Sequence, residues 1–537
     1  MLVREVVYTP ARTMSKRAGI PVIDIFAGPG GLGEGFSRYR AGTRRAFRSV
    51  LSVEKEPAAH RTLTLRAFYR QFEPGDVPPA YFERVRSRLT TEELFAQHEQ
   101  MAAAAQSEAW LAELGSPQTT VDAVRGRVAA ALADAGDWVL LGGPPCQAYS
   151  LVGRSRNRGI KGYRFETDHK ATLYLEYLQL IADFWPAVFV LENVKGLLSA
   201  KQHGESMFTR IVEDLQDPAS AIAREGRTCR RRGSHHRYDI YPIVAVDDRL
   251  PGLANADPAD FVVRSELFGV PQARHRVIAI GVRRGFSKEQ PSPLAPHDRL
   301  VAVREAIGDL PKLRSALSSG ETPERWAATI AKLGQRTWQK QLAANGGADV
   351  AARVAAVADQ AFDLARLPRT VTGLIRRPCI SYQRDWYEAG RMSCIANHEA
   401  RTHMPDDLLR YLFAACFTAS NDRSPALRDF PTNLLPAHEN AELALDGSHF
   451  ADRFRVQRFD RPSTTITSHI SRDGHYYIHP DPTQCRSLTV REAARLQTFP
   501  DTYFFEGNRT AQYVQVGNAV PPFLAHQIAE RVYRIFQ

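Results

Sequence analysis

The sequence predicts an α/β protein with a Rossmann-like, doubly wound and mostly parallel β-sheet, in a chain long enough for two or more domains. Three apolar segments of strand length support this prediction: 21–26, 138–141 and 187–191. Glycine, proline or a charged residue follows each of them, and helical patterns such as Ala171 to Phe184 lie between them. Because open α/β sheets bind ligands at the carboxyl ends of their strands, we expect functional groups directly after these segments.

The chain is basic and has no apolar segment long enough to span a membrane. Its 537 residues include 70 lysines and arginines against 59 acidic residues, for a net charge of +11. This balance favours a polyanionic partner such as nucleic acid. The six cysteines are scattered without a Cys-x-x-Cys pair, which is typical of reduced thiols and not of a disulfide framework. Without a signal peptide or membrane span, we expect a soluble cytoplasmic protein.

The first predicted strand leads into a glycine-rich turn. Gly28, Gly30 and Gly33 satisfy the pattern G-x-G-x-x-G, in which glycine lets a ligand approach the backbone at the amino end of a helix. The pattern alone fits a dinucleotide-binding unit and an S-adenosylmethionine-binding loop equally well. A second strand is predicted at Ser49–Val53. It ends at Glu54, whose carboxylate can accept hydrogen bonds from ribose hydroxyls in either fold.

The segment 77–135 departs from the short spacing of β-α-β units. Thr90-Thr91-Glu92-Glu93 is a capping box that begins a helix, and residues 101–114 are rich in alanine and other strong helix formers. We interpret the segment as a helical insertion. Asp76, just before it, is a candidate contact for the adenine side of a bound nucleotide.

The second apolar run ends in Gly142-Gly143-Pro144-Pro145-Cys146, which holds a cysteine on a stiff turn. An isolated Pro-Cys is more often structural, because free cysteines are usually buried small hydrophobes. Here a polar loop rich in glycine and arginine follows, at 151–164, and it is suited to closing over a phosphate backbone. The third run ends at Glu192. A thiol and a carboxylate are therefore both predicted at strand ends.

A series of sequence blocks, in this order, resembles the DNA (cytosine-5)-methyltransferase family of bacterial type. The blocks are 24–31 (DIFAGPGG), 144–150 (PPCQAYS), 192–194 (ENV), 269–277 (GVPQARHRV), 461–466 (RPSTTI), 488–501 (LTVREAARLQTFPD) and 515–522 (QVGNAVPP). They extend over nearly the whole chain. The resemblance implies a Rossmann-like S-adenosylmethionine-dependent methyltransferase fold with a smaller target-recognition domain.

The resemblance also implies covalent catalysis on a cytosine that has been flipped out of the duplex. Cys146 adds to ring C6 and turns the poorly nucleophilic C5 into an enamine-like centre that can attack a methyl sulfonium. Glu192 supplies a proton or hydrogen bond at ring N3. Arg274 and Arg276 contact the base O2 and orient the ring or the nucleophile, with the direct contact assigned more to Arg276.

S-adenosyl-L-methionine is the implied methyl donor, and double-stranded DNA is the implied substrate. The candidate cofactor-binding residues are Asp24, Phe26, Ala27, Gly28, Gly30, Gly31, Glu54, Asp76, Pro145, Asn518 and Val520. The candidate DNA contacts are Gln147, Ser150, Arg154, Arg156, Asn193 and Gln272. No metal is expected, because Cys379, Cys394, His398 and His403 lack the spacing of a zinc site.

Three domains or segments are predicted: a catalytic domain at 1–282, a target-recognition domain at 283–455, and the later blocks at 456–537, which return to the catalytic domain. The middle interval has no family block and is rich in arginine, which suits phosphate contacts and base recognition. Trp326, Trp338 and Trp386 lie in it, and we expect them mainly in the core.

Alternative functions remain open at this point. One is a tRNA cytosine-5 methyltransferase of the same family, and another is a catalytically silent DNA-binding protein on this scaffold. The long middle interval favours DNA, and intact Cys146, Glu192, Arg274 and Arg276 argue against the silent protein. The other blocks exclude a dehydrogenase. The enzyme is expected to be a monomer, acting as an orphan methylase or beside a separate cognate restriction endonuclease.

Overall fold

The computed structural model describes most of the chain. The described residues are 19–73, 75–133, 135–145, 169–202, 205–230, 236–245, 257–287, 289–371, 384–387, 395–436 and 453–537. Within these ranges, no helix is long and apolar enough to cross a membrane.

Eight strands of the described chain form one central sheet. They are β1 (Ile20–Ile25), β2 (Phe47–Glu54), β3 (Ala109–Leu111), β4 (Val139–Gly142), β5 (Val188–Val194), β6 (Tyr238–Tyr241), β7 (Val262–Arg264) and β8 (His275–Arg283). Their order is β6-β8-β5-β4-β1-β2-β3, and β7 also pairs with β8. Strands β1 to β5 run parallel, whereas β8 is antiparallel to its neighbours. The predicted mostly parallel α/β sheet is confirmed.

Both faces of this sheet are buried, which explains why its central strands are continuous apolar runs. Ile23 and Leu140 pack into the core on one face, together with side chains of the helix at 169–184. Val22 and Leu141 pack into the core on the other face, together with the first and last helices of the chain. The sheet is thus covered by helices on both sides, as in a doubly wound fold.

The helices of the described chain are numbered in order. They are α1 (Gly31–Arg38), α2 (Pro57–Arg70), α3 (Pro79–Val85), α4 (Thr91–Ala96), α5 (Glu99–Glu108), α6 (Val121–Leu132), α7 (His169–Phe184), α8 (Met207–Gln216), α9 (Pro218–Arg224), α10 (Val303–Ile307), α11 (Pro323–Ala331), α12 (Arg336–Gly346), α13 (Ala348–Asp359), α14 (Ala361–Leu364), α15 (Arg384–Tyr387), α16 (Pro405–Asn421), α17 (Val490–Leu496), α18 (Arg509–Asn518) and α19 (Pro522–Ile535). Helix α19 packs on α1 so closely that a Cβ on Gly35 would lie 2.4 Å from the Cβ of Ala525.

Four parallel strands have paired residues in one row near their carboxyl ends. Ile25 of β1 is paired with Val53 of β2 and with Gly142 of β4, and Gly142 is paired with Leu191 of β5. The residues that follow these four are, in turn, Phe26, Glu54, Gly143 and Glu192. The register therefore brings four features to the same edge of the sheet. They are the glycine-rich turn after β1, the proline turn after β4 (residues 143–145), and the predicted carboxylates of Glu54 and Glu192.

The segment 77–135 is not the wholly helical insertion that the sequence predicts. Helices α3, α4 and α5 form as expected, and Thr90 caps α4 in a capping box with Glu93. Ala109–Leu111, however, forms the edge strand β3, with Ser52 of β2 paired to Ala109. Alanine-rich sequence favours helix, but pairing with the open edge of β2 overrides that preference over these residues.

A second hydrophobic core lies in the middle of the chain. Trp326 is fully buried in it, among side chains of α11, α13 and α16. Trp338 packs against this core, and Trp386 is buried elsewhere. Val456 and Cys485, beyond the predicted boundary at 455, also belong to the second core. The expectation that the tryptophans are mainly core residues agrees with this packing, and the domain boundaries stay a prediction.

Buried ion pairs organise the block at 488–501. Arg486 contacts the Glu492 carboxylate through two nitrogens at 2.6 and 2.7 Å, and Arg495 contacts Asp501 at 2.6 and 2.8 Å. Both arginine side chains are fully buried. Buried charges persist only where they are paired and hydrogen-bonded. The first pair therefore fixes α17 to the segment before it, and the second fixes α17 to the segment after it.

Two buried histidines beside this network make stability depend on pH. Burial lowers the pKa of His398 and of His479 to about 4. Unfolding returns each ring to a pKa of about 6.5, so the unfolded state binds more protons between pH 6.5 and 4. The contribution of these histidines to the free energy of unfolding is therefore fully present above pH 6.5. It is lost as the pH falls through that window, by up to roughly 3 kcal/mol per histidine. We expect His479→Gln to make the pH dependence of the free energy of unfolding shallower, because one of the two histidines is removed and His398 remains. The measurement is urea denaturation between pH 7.5 and 5.

The control for this experiment is His98→Gln, which changes a partly exposed histidine before α5. We expect it to leave the wild-type slope unchanged. A slope in His479→Gln as steep as that of the wild type would contradict the prediction.

Candidate active site

The turn after β1 depends on backbone conformations that glycine favours. Gly28 and Gly30 have φ angles of 57° and 92°, in the left-handed region. Among the described residues, no atom lies within 4 Å of the position that a Cβ on Gly28 would take, whereas a Cβ on Gly31 would lie 2.2 Å from the Val520 carbonyl oxygen. The turn is therefore open to a ligand at Gly28 and closed by the end of the chain at Gly31.

Glu54 is held at the end of β2 by backbone donors. Its Oε2 accepts the N–H of Gly28 at 2.7 Å, and its Oε1 accepts the N–H groups of Lys55 and Glu56 at 2.9 and 2.8 Å. Burial raises the pKa of Glu54, and these three hydrogen bonds oppose that rise. A carboxylate offers about four acceptor sites, so one remains for a hydroxyl donor. This is the chemistry expected for binding a ribose.

Asp24 supports the same turn from beneath and does not face a ligand. Its side chain is buried, and Oδ2 accepts the N–H of Gly33 at 3.2 Å. Burial raises the pKa of Asp24 to about 7, and the hydrogen bond from Gly33 opposes this. The structure thus places Asp24 as a support for the start of α1.

The turn after β4 lies against the end of β5. A Cβ on Gly143 would lie 2.9 Å from Oε2 of Glu192, which is closer than a real side chain tolerates. The amide of Asn193 donates to the Pro144 carbonyl at 3.5 Å, and its own oxygen accepts the N–H of Val194 at 2.8 Å. Asn193, predicted as a DNA contact, is 6% exposed and joins β5 to the proline turn.

Glu192 is paired with Arg276 of the neighbouring strand β8. The Arg276 Nε lies 2.9 Å from Glu192 Oε1, and each side chain is 13% exposed. Burial lowers the pKa of Arg276, and the Glu192 carboxylate opposes this. The pair fixes a carboxylate at the edge of the sheet, directly beside the turn that leads to Cys146.

Arg274 and Gln272, in the same block, point into the protein. Arg274 is 1% exposed and donates to the carbonyl oxygens of Ile466 and Gly517 at 2.9 and 3.2 Å. Gln272 is fully buried, donates to Leu496 and accepts the N–H of Ile466. The structure therefore does not bring Gln272 to a surface that DNA could reach. Both residues connect β8 to the later blocks.

Some of the remaining predicted residues lie outside the described part of the chain, and others are exposed. Cys146, Gln147, Ser150, Arg154 and Arg156 lie outside the described residues, as do Cys379 and Cys394. Asp76 and Asn518 are exposed, Asp76 between α2 and α3 and Asn518 at the end of α18. The ring nitrogens of His398 contact the Thr489 hydroxyl and the Pro311 carbonyl.

Two residues at the site have no role in the sequence predictions. Gly143 lies so close to Glu192 that a side chain would not fit there. In the sequence, the double glycine before Pro144 is the pattern that could have indicated this close contact. Tyr503 is fully buried and donates its hydroxyl hydrogen to the carbonyl of Pro29. It lies just past the block at 488–501, but nothing in the local sequence indicates which partner it contacts.

The residues of the first turn fit S-adenosylmethionine. The open space at Gly28 and the remaining acceptor site of Glu54 provide a cradle for an adenosyl group. Ala27 donates to the Val53 carbonyl at 3.1 Å, so the backbone of the turn is fixed to β2 before any ligand binds.

Comparison with known proteins identifies the family. Residues 130–218 and 261–534 match the family model described as C-5 cytosine-specific DNA methylase. The chain is similar to Type II methyltransferase M.Bpa9945I of Bacillus paralicheniformis, with 31% identity over 531 residues that cover 95% of this chain and 98% of the relative. It is also similar to Type II methyltransferase M.AgeI of Thalassovita gelatinovora, with 26% identity over 541 residues and the same two coverages. DNA (cytosine-5-)-methyltransferase M.ApeKI of Aeropyrum pernix is 25% identical over 414 residues, which are 74% of this chain and 81% of the relative.

These matches confirm the resemblance drawn from the sequence blocks, and they support the DNA enzyme over the tRNA enzyme and the silent scaffold. The chain belongs to the C-5 cytosine-specific DNA methylase family, and it is a DNA (cytosine-5)-methyltransferase whose methyl donor is S-adenosylmethionine.

Proposed function

We propose that Cys146 is the nucleophile, that Glu192 delivers a proton to the cytosine ring, and that Arg276 holds Glu192 in place. One observation carries the proposal. The Glu192 carboxylate, paired with Arg276 at 2.9 Å, lies against Gly143 in the turn that leads to Cys146. This chemistry requires a carboxylic acid and a thiol, and Cys146 directly follows in sequence the turn that Glu192 contacts.

The reaction needs covalent activation because C5 of cytosine belongs to an aromatic ring and is a poor nucleophile. The Glu192 carboxylate first takes a proton from solvent. The Cys146 thiolate then forms a bond to C6, and ring electrons move toward N3, which takes that proton from Glu192. S-adenosylmethionine, when bound, supplies an electrophilic methyl group to the resulting enamine carbon C5. The methyl transfer leaves S-adenosylhomocysteine as the product of the donor. Water takes the C5 proton, the electrons left behind re-form the C5–C6 double bond and expel the Cys146 thiolate from C6, and N3 returns its proton to Glu192.

Arg276 acts through the charge of Glu192 in this scheme. When Glu192 gives up its proton, the guanidinium already lies at 2.9 Å and stabilises the carboxylate that forms. Since the pair is largely buried, the interaction is stronger than it would be in water. Arg274, which binds backbone carbonyls and not Glu192, is proposed as a support for Arg276 and the strand that carries it.

The remaining site residues divide between cofactor and DNA. We assign the open turn at Phe26–Gly31, together with Glu54, Pro145 and Val520, to the cofactor. The target base is proposed to flip out of duplex DNA, with the loop at 147–164 contacting the flipped nucleotide.

Sequence specificity is assigned to the interval 283–455. The second hydrophobic core, most of whose residues come from this interval, supports a dedicated target-recognition domain. Two relatives that match this chain over 98% of their own length are named Type II methyltransferases. Their names support a place for this enzyme in a restriction-modification system, in which a cognate endonuclease would act separately. A monomer is proposed.

The test is transfer of labelled methyl groups from S-adenosylmethionine to unmethylated genomic DNA, with bulk tRNA in parallel, followed by bisulfite sequencing of the DNA. Label on DNA at one short sequence is the expected outcome and supplies the specificity. Label confined to tRNA, or on DNA without any sequence preference, would overturn the proposal.

Cys146→Ser is expected to abolish turnover, because a serine hydroxyl is far less ionised than a thiol at neutral pH and adds poorly to C6. Binding of duplex DNA, measured by fluorescence anisotropy, should remain near the wild-type value. Activity within about tenfold of the wild type would rule out the covalent mechanism.

Glu192→Gln removes the acid while keeping the size of the side chain. We expect the single-turnover methylation rate to fall by at least about 100-fold, the usual contribution of a general acid. The affinity for S-adenosylhomocysteine should change little, since Glu192 is not assigned to the cofactor. An unchanged methylation rate would remove the proposed role.

Gly143→Ala tests the position of Glu192 without changing any ionisable group. The new methyl group would lie 2.9 Å from Glu192 Oε2, so it forces the carboxylate away from its place beside Arg276. We expect the methylation rate to fall by about 10- to 100-fold, with little change in melting temperature.

Gly126→Ala in α6 is the matched control, because among the described residues nothing lies within 4 Å of its Cβ position. Alanine favours helix there, so activity should be unchanged. Equal activity of the two alanine variants would contradict the requirement for glycine at 143.

A further inference from the structure

We infer that Tyr503 is a positioning residue for the cofactor turn: its hydroxyl fixes the Pro29 carbonyl, and the contacts of α2, α3 and α4 with residues 501–506 hold the tyrosine in place. The inference rests on the proposed assignment of the Phe26–Gly31 turn to S-adenosylmethionine. The proposed function assigns no role to helices α3 and α4. The inference gives them one, which is to hold the segment that carries Tyr503.

Tyr503 reaches the turn from the far end of the sequence. Its hydroxyl donates to the carbonyl of Pro29, between the two glycines with positive φ. A Cβ on Gly30 would lie 3.1 Å from this hydroxyl and 2.8 Å from the Leu63 side chain. The turn and the tyrosine therefore fit against each other with no room for a larger residue at position 30.

The ring of Tyr503 is held on several sides. The rings of Phe499 and Phe505 lie 4.8 and 5.4 Å away, and the Arg66 guanidinium lies 4.8 Å from the ring centre. Arg66 is itself fixed by two hydrogen bonds to the buried Glu34 of α1, at 2.5 and 2.9 Å. Burial raises the pKa of Tyr503, so the hydroxyl keeps the hydrogen that it donates.

Helices α2, α3 and α4 fasten the short segment that carries this tyrosine. On one side of it, Tyr81 of α3 donates to the Thr502 carbonyl at 3.0 Å. On the other side, Arg84 contacts both oxygens of Glu506 at 2.6 Å, and Thr91 donates to the same carboxylate at 3.1 Å. Thr62 of α2 accepts the N–H of Glu506 at 2.8 Å.

The turn is consequently restrained by contacts from two distant parts of the chain. Glu54 and the Val53 carbonyl hold Gly28 and Ala27 from the strand side. Tyr503 holds Pro29 from the opposite end of the chain, across a sequence separation of 474 residues. When a turn is already ordered in the free protein, less of the binding free energy is lost in ordering its backbone. Loss of the hydroxyl should therefore weaken cofactor binding and leave the chemical step nearly unchanged.

The experiment compares Tyr503→Phe with Tyr513→Phe. Tyr513 is also fully buried and donates to a backbone carbonyl, that of Leu488 at 2.6 Å, and neither it nor Leu488 belongs to the turn. Both variants thus lose one buried hydroxyl and one hydrogen bond. The readouts are the dissociation constant of S-adenosylhomocysteine for the DNA-free enzyme by calorimetry, the KM for S-adenosylmethionine, kcat at saturating cofactor, and the melting temperature.

We expect Tyr503→Phe to raise the dissociation constant and the KM by about 3- to 10-fold, the range for one net hydrogen bond, with kcat within about twofold of the wild type. Tyr513→Phe should lower the melting temperature similarly and leave the dissociation constant unchanged. Equal dissociation constants for wild type and Tyr503→Phe, or equal weakening in both variants, would overturn the inference. Failure of the wild-type enzyme itself to bind S-adenosylhomocysteine would instead refute the assignment of the cofactor.

Discussion

The parallel pairing of β1, β2, β4 and β5 is the constraint on which the active site depends. Ile25, Val53, Gly142 and Leu191 lie in one register row, so Phe26, Glu54, Gly143 and Glu192, which follow them, come to the same edge of the parallel part of the sheet. A shift of one residue in any pair would turn the strand's side chains to the opposite face. Both faces are packed with apolar side chains, and this packing fixes the register and with it the distance between the turns.

Three carboxylates share this edge, and their surroundings give them different properties. Asp24 is buried below the glycine turn with one backbone donor, and its pKa rises to about 7. Glu54 accepts three backbone N–H groups and keeps one acceptor site for a ligand. Glu192 faces a guanidinium. Under the proposed function, one fixed arrangement of strands supplies a structural, a cofactor-binding and a proton-transfer carboxylate.

The sequence predicts the parts of this site that depend on local patterns. Apolar runs locate β1, β2, β4 and β5 to within a few residues, and the residues after them are the site. Strand β3 was missed because three residues in an alanine-rich segment carry no strand pattern, and pairing with β2 decides their conformation. The buried position of Gln272 and the contact between Tyr503 and Pro29 depend on tertiary packing between distant segments, which no local pattern encodes. The assigned roles of Cys146 and its loop stay predictions from the family resemblance.

Completion of the site requires both ends of the chain. The Val520 carbonyl closes over Gly31, the Gly517 carbonyl accepts a hydrogen bond from Arg274, and Tyr503 binds Pro29. A cofactor that occupies the glycine turn therefore binds the state in which the carboxyl-terminal residues are docked, and binding must stabilise that state by an amount that grows with ligand concentration. Under the proposed assignment of this turn to the methyl donor, the contacts that order the turn couple the folding of the last helices to binding of the donor.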